Sequence, residues 1–209
     1  MSKVFVFQGD SITDAGRNRN NDNDRGCGYP TFVAGRLGAS HPGEFVFYNR
    51  GISGDRVVDI NSRIRSDLIN LKPDYLTVLI GINDVWHEIG GRRNGVSNKK
   101  YYKTYCDIIE EVLDMCPGVK IFILEPFVLK AAATENDWNV FKNETALRAA
   151  SAKAVAEKYG LTFIPLQEKF DKLCEQAPAS YWLLDGVHPS AMGHQVICDE
   201  ITAAVEKTL

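Results

Sequence analysis

The sequence predicts a three-layer α/β/α fold, in which helices cover both faces of a five-stranded parallel sheet. Five short apolar runs alternate with segments of helical periodicity along the 209 residues. The third run, residues 75–80, is apolar almost throughout, which is typical of a central parallel strand covered on both faces. Parallel neighbours need crossover connections, and the intervening helices supply them. We therefore expect one domain spanning residues 1–209.

The predicted strands are short runs of β-prone residues, and the first three end in glycine-bearing polar turns. The turns are Gly9-Asp10-Ser11, Asn49-Arg50-Gly51 and Gly81-Ile82-Asn83. In an open parallel sheet, ligands bind at the carboxyl ends of the strands, so these turns are the expected site. The five predicted strands cover residues 4–7, 45–48, 75–80, 121–124 and 161–165.

The predicted helices carry apolar residues at helical spacing, and several have recognisable ends. Gly38 is expected to close the helix after the first turn, Gly160 to cap the alanine-rich helix, and Ser190 to begin the last one. Residues 57–71 are predicted to form a single helix with Pro73 beyond its end. The remaining predicted helices cover residues 29–37, 102–116, 136–159, 166–175 and 190–205.

The charge, the hydropathy and the cysteines of the sequence indicate which partners and which cellular compartment are expected. The 24 basic and 27 acidic residues leave a net charge of -3, which disfavours nucleic acid and anionic membranes as partners. The sequence contains neither a signal segment nor an apolar stretch of the roughly 18 residues that span a bilayer. The five cysteines are odd in number and form no Cys-x-x-Cys pair. We therefore expect a cytoplasmic protein.

Three residues have the types that serine-based acyl transfer requires. Ser11 follows the first strand and is the candidate nucleophile, while His188 precedes the last helix and is the candidate base. Only two residues separate Asp185 from His188, so the carboxylate can reach ring nitrogen Nδ1 and leave Nε2 free to face Ser11. Taken alone, Ser11 reads as a helix cap, and His41 and His194 compete with His188 as surface or packing histidines.

Oxyanion donors are the second requirement of this chemistry. We assign them to the backbone N–H groups of Ser11 and Gly51 and to the side-chain amide of Asn83. Gly51 is equally open to a conformational role, in which it provides a positive φ angle. Asp10 and Asp84 flank these residues and are expected to stabilise turns or helix ends rather than to transfer protons.

The whole chain resembles the GDSL, or SGNH, hydrolases. Gly9-Asp10-Ser11, Gly51, Gly81-Ile82-Asn83-Asp84 and Asp185-Gly186-Val187-His188-Pro189 match the four family motifs in order. The resemblance implies a flavodoxin-like sandwich and serine esterase or lipase chemistry with neither a metal nor another cofactor. The Gly-x-Ser-x-Gly elbow of the α/β-hydrolases is absent from the sequence.

Within that family, residues 49–54 and 82–86 look most like the intracellular acetylxylan and acetyl-oligosaccharide esterases. This resemblance implies that a small carbohydrate ester is the substrate, that an acetyl group is removed, and that the chain forms a homo-oligomer. Trp86 is then a platform for a sugar ring, with ordinary packing as its alternative, and His87 touches the substrate.

Two alternative functions remain open at this stage. The first is a lysophospholipase or thioesterase of the same family, although the polar loops at residues 18–25 and 90–98 argue against a long apolar groove. The second is a carbohydrate-binding module without catalysis, against which the intact set of Ser11, Asp185, His188 and Asn83 argues.

Overall fold

Five parallel strands form one sheet, in the order β2-β1-β3-β4-β5. The structure is a computed structural model that describes residues 2–89, 91 and 93–209. Its strands are β1 (Lys3–Gly9), β2 (Phe45–Asn49), β3 (Tyr75–Leu79), β4 (Lys120–Leu124) and β5 (Thr162–Ile164). All neighbouring pairs are parallel, and Phe7 of β1 lies opposite Asn49 and Thr77. The predicted five-stranded parallel sheet is confirmed.

Ten α-helices and one short 3-10 turn, Ile69–Leu71, connect the strands in the described part of the chain. The helices are α1 (Ser11–Asp14), α2 (Tyr29–Ser40), α3 (Val57–Ser62), α4 (Ile64–Asp67), α5 (Ile82–Trp86), α6 (Asn98–Met115), α7 (Trp138–Tyr159), α8 (Gln167–Leu173), α9 (Ala179–Trp182) and α10 (Ala191–Glu206). None of these helices has the length and apolar character needed to cross a membrane.

Two apolar cores, one on each face of the sheet, make the fold three-layered. Alternate residues of β1 point to opposite faces, so Phe5 and Phe7 join one core and Val6 joins the other. Helices α2, α8 and α10 cover the first face, and α3, α4, α6 and α7 cover the second. The predicted three-layer α/β/α sandwich is therefore confirmed.

The strand order creates a crevice at the carboxyl ends of β1 and β3. The chain passes from β1 to the edge strand β2 and then returns to β3 on the far side of β1. Its connections therefore run over opposite faces of the sheet, α2 on one face and α3 and α4 on the other. Ligands bind at such a topological switch point in open parallel sheets.

Among the helices whose bounds differ from the predicted ones, two have a local physical reason. The helix predicted over 57–71 is broken at Arg63 and Leu68, although its apolar residues stay on the core. The hydroxyls of Ser62 and Ser66 donate to backbone carbonyl oxygens one turn back, which offers those carbonyls a competing partner. The other helix, α2, continues past Gly38 to Ser40, since Gly38 does not adopt a positive φ.

Candidate active site

Ser11 lies in a closely packed turn between β1 and α1. Asp10 caps α1 by accepting a hydrogen bond from the Ile12 N–H at 3.0 Å, so Ser11 is the first helical residue rather than the cap. A Cβ atom on Gly9 would lie 2.2 Å from Thr13 Oγ1 and 2.4 Å from the Leu79 carbonyl oxygen. Only glycine fits there, and its packing fixes the direction in which α1 presents Ser11.

Ser11, His188 and Asp185 form a continuous hydrogen-bonded chain. Ser11 Oγ lies 2.9 Å from His188 Nε2, and His188 Nδ1 lies 2.7 Å from Asp185 Oδ2. The predicted nucleophile, base and acid are 177 positions apart at the widest, yet the structure brings all three together. This is the arrangement that serine-based acyl transfer uses.

The hydrogen bond between Asp185 and His188 stabilises the charged form of both side chains. Burial opposes ionisation of Asp185, but hydrogen bonds from the His188 ring and from two backbone N–H groups lower its pKa to about 2. The hydrogen bond to Asp185 in turn raises the pKa of His188 above its ordinary 6.5, against a smaller effect of burial. Asp185 is therefore ionised at neutral pH, and it makes His188 a stronger base.

A tight loop before α10 holds Asp185 and His188. An antiparallel bridge joins Leu183 to Pro189, and Gly186 has a φ of +100°, which favours glycine. The Ser190 hydroxyl accepts the Gly193 N–H and begins α10, as predicted. The short helix α9 ends at Trp182, directly before this loop.

Position 51 requires glycine because the backbone of α1 lies too close to it for a side chain. The suggestion that Gly51 provides a positive φ angle is wrong. A Cβ atom there would lie 2.4 Å from the backbone nitrogen of Asp14. The turn after β2 therefore lies directly against α1. The Gly51 N–H, a predicted oxyanion donor, donates to Asn49 Oδ1 at 2.9 Å in this structure.

Asn49 is a positioning residue that the sequence interpretation missed. Its side chain is 1% exposed, and its amide donates to the carbonyl oxygens of Thr13 at 2.6 Å and of Arg25 at 2.9 Å. Together with the Gly51 contact, these bonds tie the end of β2 to α1 and to the loop that follows it. The only signal in the sequence was its place two residues before Gly51.

Asn83 lies in the first turn of α5, behind Gly81, whose φ is +138°. Its side-chain amide donates to the Asp55 carbonyl oxygen at 3.1 Å, which leaves the second N–H of the amide for another acceptor. The neighbouring Asp84 is fully buried, and both its carboxylate oxygens lie 3.2 Å from the Val57 N–H at the start of α3. Burial raises the pKa of Asp84 to about 8. Asp84 thus holds a helix end, as predicted.

Trp86 and His87 end up in different surroundings. The Trp86 ring lies 5.9 Å from the His188 ring, tilted by 45°, and meets Phe141 edge-on at 5.7 Å. His87 follows the last residue of α5, and its backbone N–H donates to the Asn83 carbonyl oxygen at 3.0 Å. The structure therefore gives Trp86 a contact with the candidate base and places His87 at the end of α5.

The two competing histidines have other roles. His41 lies 3.2 Å from the Glu206 carboxylate oxygens at the surface. His194 accepts the Tyr29 N–H on its Nδ1 at 3.1 Å, and burial lowers its pKa to about 4. His188, by contrast with these two, is hydrogen-bonded to Ser11.

Ser11 opens into a polar groove of about 520 Å³, inside the range of about 300 to 1,000 Å³ that is usual for ligand sites. Its other lining residues are Asp14, Gly16, Arg17, Asn18, Arg19 and Ser53. A larger cavity, of about 920 Å³, is lined by α5 and α7 and does not include Ser11. Gly90 and Arg92, in the second predicted polar loop, lie outside the described residues.

Among the described residues, no cluster of histidine, cysteine and acidic side chains is suited to hold a metal ion. The arrangement around Ser11 consists of a hydroxyl, an imidazole, a carboxylate and nearby N–H groups. Such a set can activate a serine for attack on a carbonyl carbon.

Comparison with known proteins leads to the same chemistry. The GDSL-like lipase/acylhydrolase family matches residues 7–196. An acetylxylan esterase from Geobacillus stearothermophilus is 32% identical over 204 residues, which cover 92% of this chain and 89% of that protein.

Solved structures agree in fold over nearly the whole chain. A structure from Parabacteroides merdae assigned to the GDSL-like lipases is 34% identical, with a TM-score of 0.89 over 96% of this chain and 94% of that one. The crystal structure of an acetylxylan esterase from G. stearothermophilus is 28% identical, with a TM-score of 0.85 over 95% and 92% of the two chains. The chain therefore belongs to the GDSL-like lipase/acylhydrolase family and is a carboxylic ester hydrolase.

Proposed function

We propose that this protein removes acetyl groups from acetylated xylo-oligosaccharides through an acyl-enzyme on Ser11. The hydrogen-bonded chain from Ser11 through His188 to Asp185 is the observation that carries the proposal. Because the ionised Asp185 accepts a hydrogen bond from His188 Nδ1–H, the lone pair of His188 Nε2 faces the Ser11 hydroxyl.

In the first half of the reaction, Ser11 Oγ attacks the acetyl carbonyl carbon while His188 Nε2 takes the hydroxyl proton. The tetrahedral intermediate collapses, the bond to the sugar oxygen breaks, and His188 returns the proton to that oxygen. In the second half, His188 removes a proton from water, whose oxygen attacks the acetyl-serine. Acetate leaves, and Ser11 regains its proton.

The oxyanion of both tetrahedral intermediates needs donors on the side of the carbonyl oxygen. The Ser11 N–H is among the first N–H groups of α1, which have no acceptor inside the helix. The Asn83 amide has a second N–H beyond the one given to Asp55. The Gly51 N–H completes the set if it turns from Asn49 Oδ1 to the oxyanion or is shared between the two.

A carbohydrate substrate is favoured by Trp86 and by the polarity of the groove. An indole ring beside the base offers an apolar face for a sugar ring. The groove that Ser11 lines is bordered by arginine, asparagine, serine and aspartate side chains rather than by aliphatic ones. A long acyl chain gains little free energy in such surroundings.

The first experiment compares kcat/KM for acetylated xylo-oligosaccharides with kcat/KM for a long-chain lysophospholipid. We expect a strong preference for the acetylated sugar, and a loss of that preference in Trp86→Ala. A preference for the lipid would overturn the substrate while leaving the chemistry at Ser11 intact.

A second measurement separates catalysis from simple binding. A fluorophosphonate should label Ser11 covalently, and mass spectrometry should locate the adduct on that residue. Ser11→Ala should lose both the label and several orders of magnitude in turnover. The matched control is Ser66→Ala, which removes an exposed hydroxyl on α4. A protein that binds acetylated sugar but takes no label would be a carbohydrate-binding module.

A further inference from the structure

Arg17 is a buried cation with no carboxylate partner. The residue is 7% exposed, and its Nε donates to the Gly51 carbonyl oxygen at 3.1 Å. Among the described residues, no carboxylate oxygen lies within 4.0 Å of its guanidinium nitrogens. A buried charge without a partner is costly, so its free N–H groups favour an anion. Arg17 lines the same groove as Ser11.

The other charges of the groove leave that positive charge uncompensated. Arg19 pairs with Asp14 at 2.5 Å, and the same Asp14 oxygen accepts the Ser53 N–H at 2.9 Å. Asp14 is thus matched by Arg19, and nearby Arg50 is matched by Asp22. The side chains of Arg17, Arg19 and Asp14 together therefore give the groove one net positive charge. Arg19 lies in the first predicted polar loop, residues 18–25, and Arg17 directly precedes it.

We propose that this groove recognises a carboxylate on the substrate, so that the preferred esters are acetylated oligosaccharides that carry a uronic acid. The inference rests on the proposed function, because it places the acetyl group at Ser11 and the carboxylate at Arg17 and Arg19. It adds a charged determinant of specificity to the chemistry of the site.

The arrangement suits a carboxylate better than a phosphate dianion. One net positive charge balances a monoanion. The Nε of Arg17 is held by the Gly51 carbonyl oxygen, and its two terminal nitrogens have no hydrogen-bond partner among the described residues. Arg19 contributes a second planar guanidinium, which is half exposed. Arginine forks match the geometry of carboxylates and hold them with paired, charge-assisted hydrogen bonds.

The test uses two acetylated xylo-oligosaccharides that differ in one group. One carries a glucuronic acid branch, and the other carries the corresponding uronamide, which has the same size and no charge. At low ionic strength the acid should be hydrolysed with a kcat/KM about 10- to 100-fold higher, mainly through KM. Added salt should reduce the ratio, because the contact is partly exposed.

Substitutions of Arg19 and Arg17 test which side chain is responsible for the preference for the acid. Arg19→Gln should lower the acid-to-amide ratio about tenfold, and Arg19→Lys should restore part of it, since it keeps the charge but not the fork. Arg17→Gln should lower the ratio as well, together with kcat, because Arg17 also holds the Gly51 carbonyl. The control is Arg36→Gln, which removes an exposed arginine paired with Asp199 on α10 and should leave the ratio unchanged.

Binding of the deacetylated acid and amide to Ser11→Ala, measured by calorimetry, gives a readout that needs no hydrolysis. Tighter binding of the acid supports the inference, and equal binding together with equal kcat/KM overturns it. If both acetyl esters resist hydrolysis by the wild type while the acid still binds more tightly, the proposed function fails and the carboxylate site stands.

Discussion

Asp185 holds His188 through both of its carboxylate oxygens. Oδ2 lies 2.7 Å from the ring nitrogen Nδ1, and Oδ1 accepts the backbone N–H groups of Val187 and His188 at 2.9 and 2.8 Å. The acid therefore fixes the ring and also the backbone that carries it. A short loop, rather than a distant part of the chain, determines the direction in which His188 faces Ser11.

This contact makes a pH dependence predictable. His188 acts as a base only when it is neutral, and its hydrogen bond to Asp185 raises its pKa above 6.5. Activity should therefore be lost as pH falls through that raised pKa. Asp185, with a pKa of about 2, stays ionised across this range. A plot of kcat/KM from pH 5 to 9 should show one rising limb with its midpoint above 6.5. A flat profile would contradict the assignment of His188.

Asp185→Asn should change both the midpoint and the rate. Loss of the carboxylate removes the group that raises the pKa of His188, so the midpoint should move downward. Turnover should fall by about 10,000-fold, the size of effect seen for the corresponding change in another serine hydrolase. The control, Asp114→Asn, changes an exposed aspartate of α6. An unchanged midpoint in Asp185→Asn would argue against the ring contact.

Asn83→Ala should lower kcat by about 100- to 1,000-fold with little change in KM, because an oxyanion donor acts mainly in the transition state. The variant also loses the bond to the Asp55 carbonyl, so its unfolding midpoint should be measured alongside. Asn61→Ala, at an exposed position on α3, is the matched control. Loss of activity that merely parallels loss of fold would refute the donor role.

Gly51→Ala tests the close approach between the turn after β2 and α1. A Cβ atom 2.4 Å from the Asp14 backbone nitrogen cannot be accommodated unless α1 moves. We expect the free energy of unfolding to drop by about 1 to 3 kcal/mol. Turnover should drop by about 100-fold, since Ser11 moves with the helix.

Gly35→Ala provides the contrast for that experiment. Nothing lies within 4 Å of the added Cβ, and the residue is inside α2, so stability should rise by about 0.5 to 1 kcal/mol. Equal effects of the two substitutions would show that the contact with Asp14 is not what requires glycine at position 51.

His194 should make the fold sensitive to acid independently of the reaction. Its pKa is lowered from 6.5 to about 4 by burial, so the unfolded chain binds the proton more readily between these values. Stability should therefore fall as pH drops from 7 to 4, by about 3 kcal/mol from this residue. His194→Gln keeps an acceptor for the Tyr29 N–H and should remove that part of the pH dependence.

Urea unfolding of wild type and His194→Gln at pH 7 and at pH 4 measures the difference directly. His41→Gln, at a surface histidine beside Glu206, serves as control. If the pH dependence is the same in wild type and His194→Gln, burial of His194 does not contribute to it.

The strands and the main site residues were predictable because each depends on local pattern. Residues 75–80 are almost all apolar because both faces of β3 are covered. Gly160 ends α7 in the left-handed conformation, with a φ of +64°. Asp185 and His188 were predictable as a pair since a loop of this length brings the two side chains together without help from elsewhere.

What the sequence did not reveal depends on contacts between distant segments. Asn49 acts through Thr13 and Arg25, which lie 36 and 24 positions away, so no local pattern marks it. Arg17 sits in a stretch of polar composition and is nevertheless buried. The side chain of Arg63, where the predicted helix is broken, likewise donates to Gln8, 55 positions away, as well as to the nearer Asp55 and Asp67.

The bond between Ser11 and His188 closes almost the entire chain into one loop, because 177 positions separate the two residues. Closing so long a loop costs conformational entropy, and contacts between such distant residues slow folding. Ester hydrolysis requires that loop to be closed. A refolding experiment that follows hydrolysis would therefore time the meeting of Ser11 with His188 rather than the formation of any one helix or strand.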